Sequence, residues 1–351
     1  MQRGINTAAK EKVIFMADEK IVMAHGGGGV KMHELIHNHI LSKLSNPFLN
    51  SLSDSAVLNI GSKRICFTTD GFVVWPLEFP GGDIGKLAVC GTVNDLAVMG
   101  AVPLALSLSL IIEEGFDLAV IDRIMTSIAE TAKLAGVNVV TGDTKVIERA
   151  RGDGLTITTS GIGILPDGVD LNINKICAGD VIIFSGNIAE HGLAIMSARE
   201  GLAFKTTIKT DAAPLNLLTK DLIGAGLNIK FMRDPTRSGL AGVLADIVEA
   251  INLSVEVVEA DIPITPAARH AAELLGLDPL TIANEGKCVI VVSQADAEKV
   301  LAICKKNPLG KDAAIIAKVV DKKPAIIELK TRAGGRRLIQ RPYGEELPRI
   351  C

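Results

Sequence analysis

The sequence predicts an α+β fold in two domains, and three observations carry the prediction. The chain has 351 residues, about the length of two domains. Hydrophobic residues make up 48% of it, enough for a large core. Strand-like and helix-like segments follow one another in two successive halves, divided at Leu165-Pro166-Asp167-Gly168, a turn-forming stretch. The expected division is an arm, glycine-rich loop and helix over 1–48, an N-terminal α+β domain over 49–168, a C-terminal α+β domain over 169–330, and a flexible tail over 331–351. The halves are similar in size but show no clean internal repeat.

Along the chain, His25-Gly26-Gly27-Gly28-Gly29 separates a mobile N-terminal arm from a helix over roughly Lys31–Leu44. Ile65–Asp70 reads as a strand ending in an acid. After the turn Phe79-Pro80-Gly81-Gly82, Asp83 caps a helix of small residues reaching about Gly100. The spacing of Leu118, Ile121, Met125 and Ile128 marks another helix, ended by Gly136. Val137–Val140 and Leu155–Ile164 read as strands. In the second half the reading is a strand over Val181–Ser185, a helix after His191-Gly192, a helix entered from Asp234-Pro235-Thr236, and strands near Ser254–Glu259 and Cys288–Ser293. Asp234 there suits an N-cap, with Pro235 at the first helical position. The tail contains Gly334-Gly335, Pro342 and Pro348, which argue against a long regular element. It ends in Cys351.

Composition excludes several classes. A net charge of −3, from 37 basic and 40 acidic residues, gives no signal for nucleic acid or anionic membrane. No apolar run reaches the length of a membrane span, and the first 19 residues lack a signal-peptide core. Six widely spaced cysteines without a C-x-x-C suggest reduced thiols and a cytoplasmic location.

Neither a G-x-x-x-x-G-K-[ST] loop nor a G-x-G-x-x-G is present. Instead Asp70, Asp95, Asp143 and Asp234 lie at strand ends or beside glycine. Converging carboxylates suit Mg²⁺ that keeps substrate phosphates. Glycine amides and Lys145 suit phosphate oxygens. Taken singly, each acid also reads as a cap or turn residue. His33-Glu34-Leu35-Ile36-His37 matches the H-E-x-x-H zinc signature. It lacks the extended pattern, because Ile40 stands where glycine would, so no zinc is expected. A thiol on a glycine- and proline-rich arm can be loaded in one place and processed in another. The plainer reading is a frayed terminus.

Several ordered stretches carry a resemblance. They are Phe79 to Ala88, Gly91-Thr92-Val93-Asn94-Asp95, Thr141-Gly142-Asp143-Thr144-Lys145-Val146, Arg233-Asp234-Pro235-Thr236-Arg237, Ala283-Asn284-Glu285-Gly286-Lys287 and the terminal Leu347-Pro348-Arg349-Ile350-Cys351. Together they resemble the HypE family of carbamoyl dehydratases, within the aminoimidazole-ribotide-synthetase-like ATP-binding superfamily. The resemblance runs from about Ile21 to Cys351. It implies a homodimer with ATP near the dimer seam, beneath the glycine-rich segment. Nucleotide and Mg²⁺ are then expected at His25, Gly26, Gly27, Gly28, Gly29, Asp70, Asn94, Asp95, Asp143, Lys145 and Asp234.

The implied reaction loads a carbamoyl group onto Cys351 from a partner, HypF. ATP then activates the amide oxygen, a thiocyanate forms, and cyanide passes to iron on a HypC–HypD complex. Glu285 is the candidate base, with a salt bridge to Lys287 or an arginine as its alternative role. Asn284 is expected to orient the amide. The chain departs from the family pattern in three places: Gly28 for the usual serine, Ser238 for the usual glycine, and Gly71 for a more usual serine. Two other readings are a small-molecule kinase or ligase of the same fold with Cys351 idle, and a non-catalytic carrier.

Overall fold

The computed structural model describes residues 20–199, 207–344 and 349–351. The expected N-terminal arm, up to residue 19, and Leu347-Pro348 lie outside the described residues. The first helix is α1 (Val30–Leu35), which continues through a π-helical stretch, Ile36–Leu41, into α2 (Ser42–Leu44).

In the N-terminal half, β1 (Ala56–Ile60) and β2 (Lys63–Phe72) form a hairpin, and the short β3 (Glu78–Phe79) and β4 (Gly82–Asp83) pair with each other. Then come α3 (Ile84–Val98), β5 (Val102–Glu113), α4 (Leu118–Ala135), β6 (Asn138–Ile147) and β7 (Leu155–Leu165). The five-stranded sheet has the order β1-β2-β7-β5-β6, antiparallel except for β5 with β6.

Asp83 caps α3 as expected, its Oδ1 accepting from Gly85 N (2.7 Å) and Lys86 N (2.9 Å). Small residues let α3 lie close on the sheet. A Cβ on Gly91 would stand 3.0 Å from the Phe72 ring, and one on Gly161 would stand 2.7 Å from Thr92. The opposite face of the sheet is apolar and open: Phe67 faces Ile162 across the β2–β7 pairing, and both are exposed.

The C-terminal half contains β8 (Val181–Phe184), α5 (Glu190–Arg199), α6 (Asn216–Gly224), β9 (Ile229–Arg233), α7 (Gly239–Ile251), β10 (Ser254–Val258), α8 (Pro266–Leu275), β11 (Val289–Val292), α9 (Ala297–Lys306), β12 (Ala314–Val320), β13 (Ile327–Lys330) and β14 (Arg336–Ile339). Its seven-stranded sheet has the order β14-β13-β10-β12-β8-β11-β9. Strands β8 and β11 are buried throughout, which accounts for their unbroken apolar runs.

Two expectations change. Asp234 is not an N-cap: α7 starts at Gly239, behind Ser238 with φ 64°. Asp234 instead follows the end of β9 inside the protein, 6% exposed. The tail does not begin at 331, because β14 pairs with β13 and extends the sheet to Ile339. Gly334, at φ 86°, makes the turn between those strands that a side chain would resist.

Beyond β14 the chain meets the segment that opens α1. Val30 N donates to Pro342 O (3.0 Å) and Lys31 N to Tyr343 O (3.2 Å), while Lys31 Nζ sits 5.6 Å from the Tyr343 ring centroid. Gly29 is essential to this contact, since a Cβ there would fall 2.3 Å from Pro342 O.

Candidate active site

The two halves bring their acids together at one place. Asp54 precedes β1, Asp70 lies near the end of β2, Asp95 is on α3, Asp234 follows β9, and Glu285 precedes β11. Their charges act on one another. Burial first, then Asp234, Asp54 and Asp70, push the Asp95 carboxyl well above the usual carboxylate range. Burial and Asp54 push Asp234 up to about 8. Burial raises Asp70 against the pull of Arg237. Burial, Asp234 and Asp70 raise Glu285, again against Arg237.

Thr68 ties Asp95 to the segment before β1: its Oγ1 lies 2.9 Å from Asp54 O and donates to Asp95 Oδ2 at 2.7 Å, which opposes the rise of the Asp95 carboxyl without cancelling it. A cluster of this kind binds protons until a cation replaces them.

Arg233 frames the cluster. Its Nε donates to Asp54 Oδ1 (3.0 Å) and its Nη1 to Asp246 Oδ2 (2.7 Å). Asp246 also accepts from Arg341 Nη2 (2.6 Å), which reaches Glu249 at 2.9 Å. A cleft of about 1330 Å³ opens here, lined among others by Gly28, His33, Asp54, Thr68, Arg237 and Asp246.

The structure sorts the expected site residues. Asp70, Asp95, Asp234 and Glu285 share the acid cluster. Gly28 borders the cleft. Gly27 accepts from Ser238 Oγ, and Gly29 packs against Pro342. Gly26 closes the 3₁₀ turn Met23–Gly26, in which Val22 N donates to His25 Nδ1 (3.1 Å).

Asn94 and Asn284, expected at the ligand, are internal braces instead, and both are fully buried. Asn94 Nδ2 donates to Glu285 O (3.0 Å) and Ala213 O (3.2 Å), and its Oδ1 accepts from Leu215 N (2.8 Å). Asn284 Oδ1 accepts from Ala189 N (2.8 Å), and its Nδ2 donates to Pro235 O and Ile282 O.

Asp143 and Lys145 pair with each other at 2.7 Å on the exposed edge strand β6, and neither is among the charges acting on the acid cluster. Glu285 is not bridged to Lys287, which lies 3.6 Å from Asp211 Oδ2 and 4.0 Å from Glu190 Oε2. Glu285 Oε1 is buried without a hydrogen-bond partner. In the H-E-x-x-H stretch, His33 Nε2 accepts from Arg341 Nη1 (3.0 Å), and burial lowers its pKa.

Cys351 is half-buried, not on a free arm. Val73 N donates to Cys351 O (3.2 Å), Trp75 N donates to Arg349 O (3.2 Å), and Ile350 is 3% exposed. Sequence reasoning misses Asp54, Asp211, Arg233 and His191. Arg233 and His191 stand inside stretches noted above for other reasons; Asp54 and Asp211 have no local signal.

Two family models match the chain: AIR synthase related protein, N-terminal domain, over 52–165, and its C-terminal domain over 178–330. The fold and paired halves thus define an AIR synthase related protein. A putative hydrogenase expression/formation protein of Methanocaldococcus jannaschii is 50% identical over 339 residues, covering 95% of this chain and 100% of that protein. Carbamoyl dehydratase HypE of Escherichia coli is 42% identical over 94% of this chain and 99% of its own. The chain belongs to the HypE family.

Among solved structures, a HypE–HypF complex has TM-score 0.83 and 45% identity, over 88% of this chain and 99% of that one. HypE in complex with ATP has TM-score 0.80 and 38% identity, over 95% and 100%. A thiamine monophosphate kinase from Aquifex aeolicus, at TM-score 0.59 and 14% identity, shares the fold.

Proposed function

We propose that the chain is an ATP-dependent carbamoyl dehydratase that converts a carboxamide carried on Cys351 into a thiocyanate for hydrogenase metal-centre assembly. The observation that carries this reading is the seated terminus: Cys351 is half-buried and packs against the core. Family membership, with an ATP-bound relative and a HypF-bound relative, supports it. Loading by HypF, delivery to HypC–HypD and a cytoplasmic site belong to the same reading.

When bound, ATP supplies the phosphoryl group that turns the amide oxygen into a leaving group. The residues do the rest. Gly28 borders the cleft and offers a backbone donor there. Asp70, Asp95 and Asp234 fit Mg²⁺ held jointly with phosphate oxygens. They do not form a finished cage, since no three metal-binding side chains close on one point among the described residues. Glu285, with its buried and unpartnered Oε1 and raised proton affinity, suits a base for an amide N–H. One nitrogen proton leaves as the oxygen is phosphorylated. The second leaves with phosphate, and C≡N remains on the sulfur.

A homodimer completes the reading. The open face around Phe67 and Ile162, continued by the exposed Ile164 on β7 and Ile111 on β5, is an apolar surface of the kind that associates. A second copy on that face would present its Asp143 and Lys145 to the first copy's acids. Intact-mass analysis after incubation with HypF, carbamoyl phosphate and ATP tests the proposal. It requires a carbamoyl adduct on Cys351 that ATP converts to a thiocyanate. Unimpaired turnover of a small substrate after tail truncation would favour the kinase or ligase reading.

A further inference from the structure

The carbonyls of Arg349 and Cys351 both meet the edge formed by Val73 and Trp75, and Arg349 Nε donates back to Val73 O (3.2 Å). The carbonyl of Ile350 lies between them, behind Arg349 at φ 57°. Among the described residues no backbone donor meets it there. His191 does: it is fully buried in the first turn of α5, and its Nε2 lies 2.9 Å from Ile350 O.

A carbonyl only accepts, so Nε2 must carry the proton. The other side of the ring enforces this. Ala212 N donates to Thr210 Oγ1 (3.0 Å), which leaves the Thr210 hydrogen for His191 Nδ1, 2.7 Å away. Thr210 is itself held by its N–H to Pro80 O (2.8 Å). Phe79 meets the ring edge-on, with centroids 5.8 Å apart and planes at 87°. Burial keeps the imidazole neutral by lowering its pKa. The next residue, Asp211, accepts from Glu285 N through Oδ1 (3.0 Å). One loop, Thr210-Asp211, therefore sets both the histidine tautomer and the backbone of the candidate base.

We propose that His191 is a positioning residue for the loaded terminus: its Nε2–H holds the Ile350 carbonyl and so keeps the cysteine in register with the hydrogen-bonded pair Asp211 and Glu285. This rests on the reading of Cys351 as the group carrier. Because the contact is to a backbone carbonyl, it holds whether the sulfur carries a proton, an amide or a nitrile. Losing it strands a buried acceptor and favours release of the terminus.

The test uses the full-length chain, His191→Leu and His191→Gln. Three quantities are read: maleimide alkylation of Cys351 relative to the exposed Cys177, ATP affinity, and single-turnover conversion of the carbamoylated chain. His191→Leu should raise the Cys351/Cys177 alkylation ratio by roughly tenfold or more and slow conversion, with ATP affinity kept. His191→Gln, which retains an N–H donor, should recover most of both. An unchanged ratio in the leucine variant, or a glutamine variant as impaired as it, overturns the proposal. If His191→Leu does not fold, Thr210→Val removes the tautomer lock at constant volume. It should raise the ratio severalfold, and no change would count equally against the idea. The alkylation arm needs no turnover. A chain that never makes thiocyanate would sink the dehydratase reading and leave this arm to decide the role of His191.

Discussion

Ser238 Oγ donates to Gly27 O at 2.9 Å and lies 3.2 Å from where a Cβ on Gly28 would stand. The resemblance drawn from the sequence expects serine at position 28 and glycine at 238; this chain has Gly28 and Ser238. The two departures are distant in sequence but are one change in space, with the hydroxyl moved across the contact. Gly28, at φ 73°, tolerates no side chain there, because a Cβ would also meet Arg237 Cβ at 2.9 Å.

Gly28→Ser alone should therefore destabilise the glycine-rich segment by about 1–2 kcal/mol and weaken ATP binding. Adding Ser238→Gly should recover part of the loss, since it removes the Ser238 Oγ contact and relieves a non-glycine residue at φ 64°, while the closer Arg237 contact stays. A double-mutant cycle on denaturant midpoints and ATP affinity measures this. Additive effects would mean that the two positions act independently.

Cys351→Ala should keep the fold and the ATP affinity and abolish both the carbamoyl adduct and the thiocyanate. Removing a half-buried thiol at a terminus changes stability by no more than about 1 kcal/mol. Peptide-resolved mass spectrometry is decisive: an adduct on another cysteine of the variant would remove Cys351 from the mechanism.

The exposed Asp143–Lys145 pair and the buried Asp95 make a mixing experiment informative. Asp95→Ala and Asp143→Ala homodimers should each be inactive in dehydration. If Asp143 serves the neighbouring copy, mixing the two after subunit exchange should restore roughly a quarter of parental activity, because half the dimers are mixed and one site in each is whole. If Asp143 serves its own chain, mixing restores nothing.

Asp234 gives a pH dependence of definite sign. Its carboxyl is raised to about 8 by burial and Asp54, so the native chain keeps a proton that the unfolded chain releases near pH 4. Stability without nucleotide should fall as pH rises between those values. The melting temperature should drop by roughly 2–5 °C from pH 6 to pH 8. Asp234→Asn should flatten that slope. Calorimetry at fixed ionic strength reads it, and a melting temperature that rises with pH in the parent but not in the variant would contradict the assignment.

Much of this architecture is legible in the sequence because local chemistry enforces it. Asp83 must cap, and fully buried strands must read as unbroken apolar runs. Strand β5 is not legible: Pro103 interrupts its start, and Leu104, Leu106, Leu108 and Leu110 alternate with small residues that suit a loop as well. Asn94 and Asn284 resemble ligand contacts because carboxamides often are; only burial shows that backbone groups engage them. Asp54 and Asp211 join the site through tertiary contacts alone, so no window of sequence contains their signal. The tail's glycines and prolines argue for disorder, yet Gly334 makes the turn that lets Arg336–Ile339 return along β13.

The hydrogen bonds from Val30 and Lys31 to Pro342 and Tyr343 fix where the leash on the thiol begins. Eight residues separate Tyr343 from Cys351, a contour length of about 28 Å at most. On the proposed role of Cys351, and while Val30 and Lys31 hold Pro342 and Tyr343, an enzyme that charges or discharges the sulfur would have to bring its reactive centre inside that sphere. Opening the clasp moves the anchor back to Ile339, and 12 residues then span about 42 Å. On that reading the glycine-rich segment would act as a setting on working radius, deciding how closely two large proteins must approach before a group can change hands.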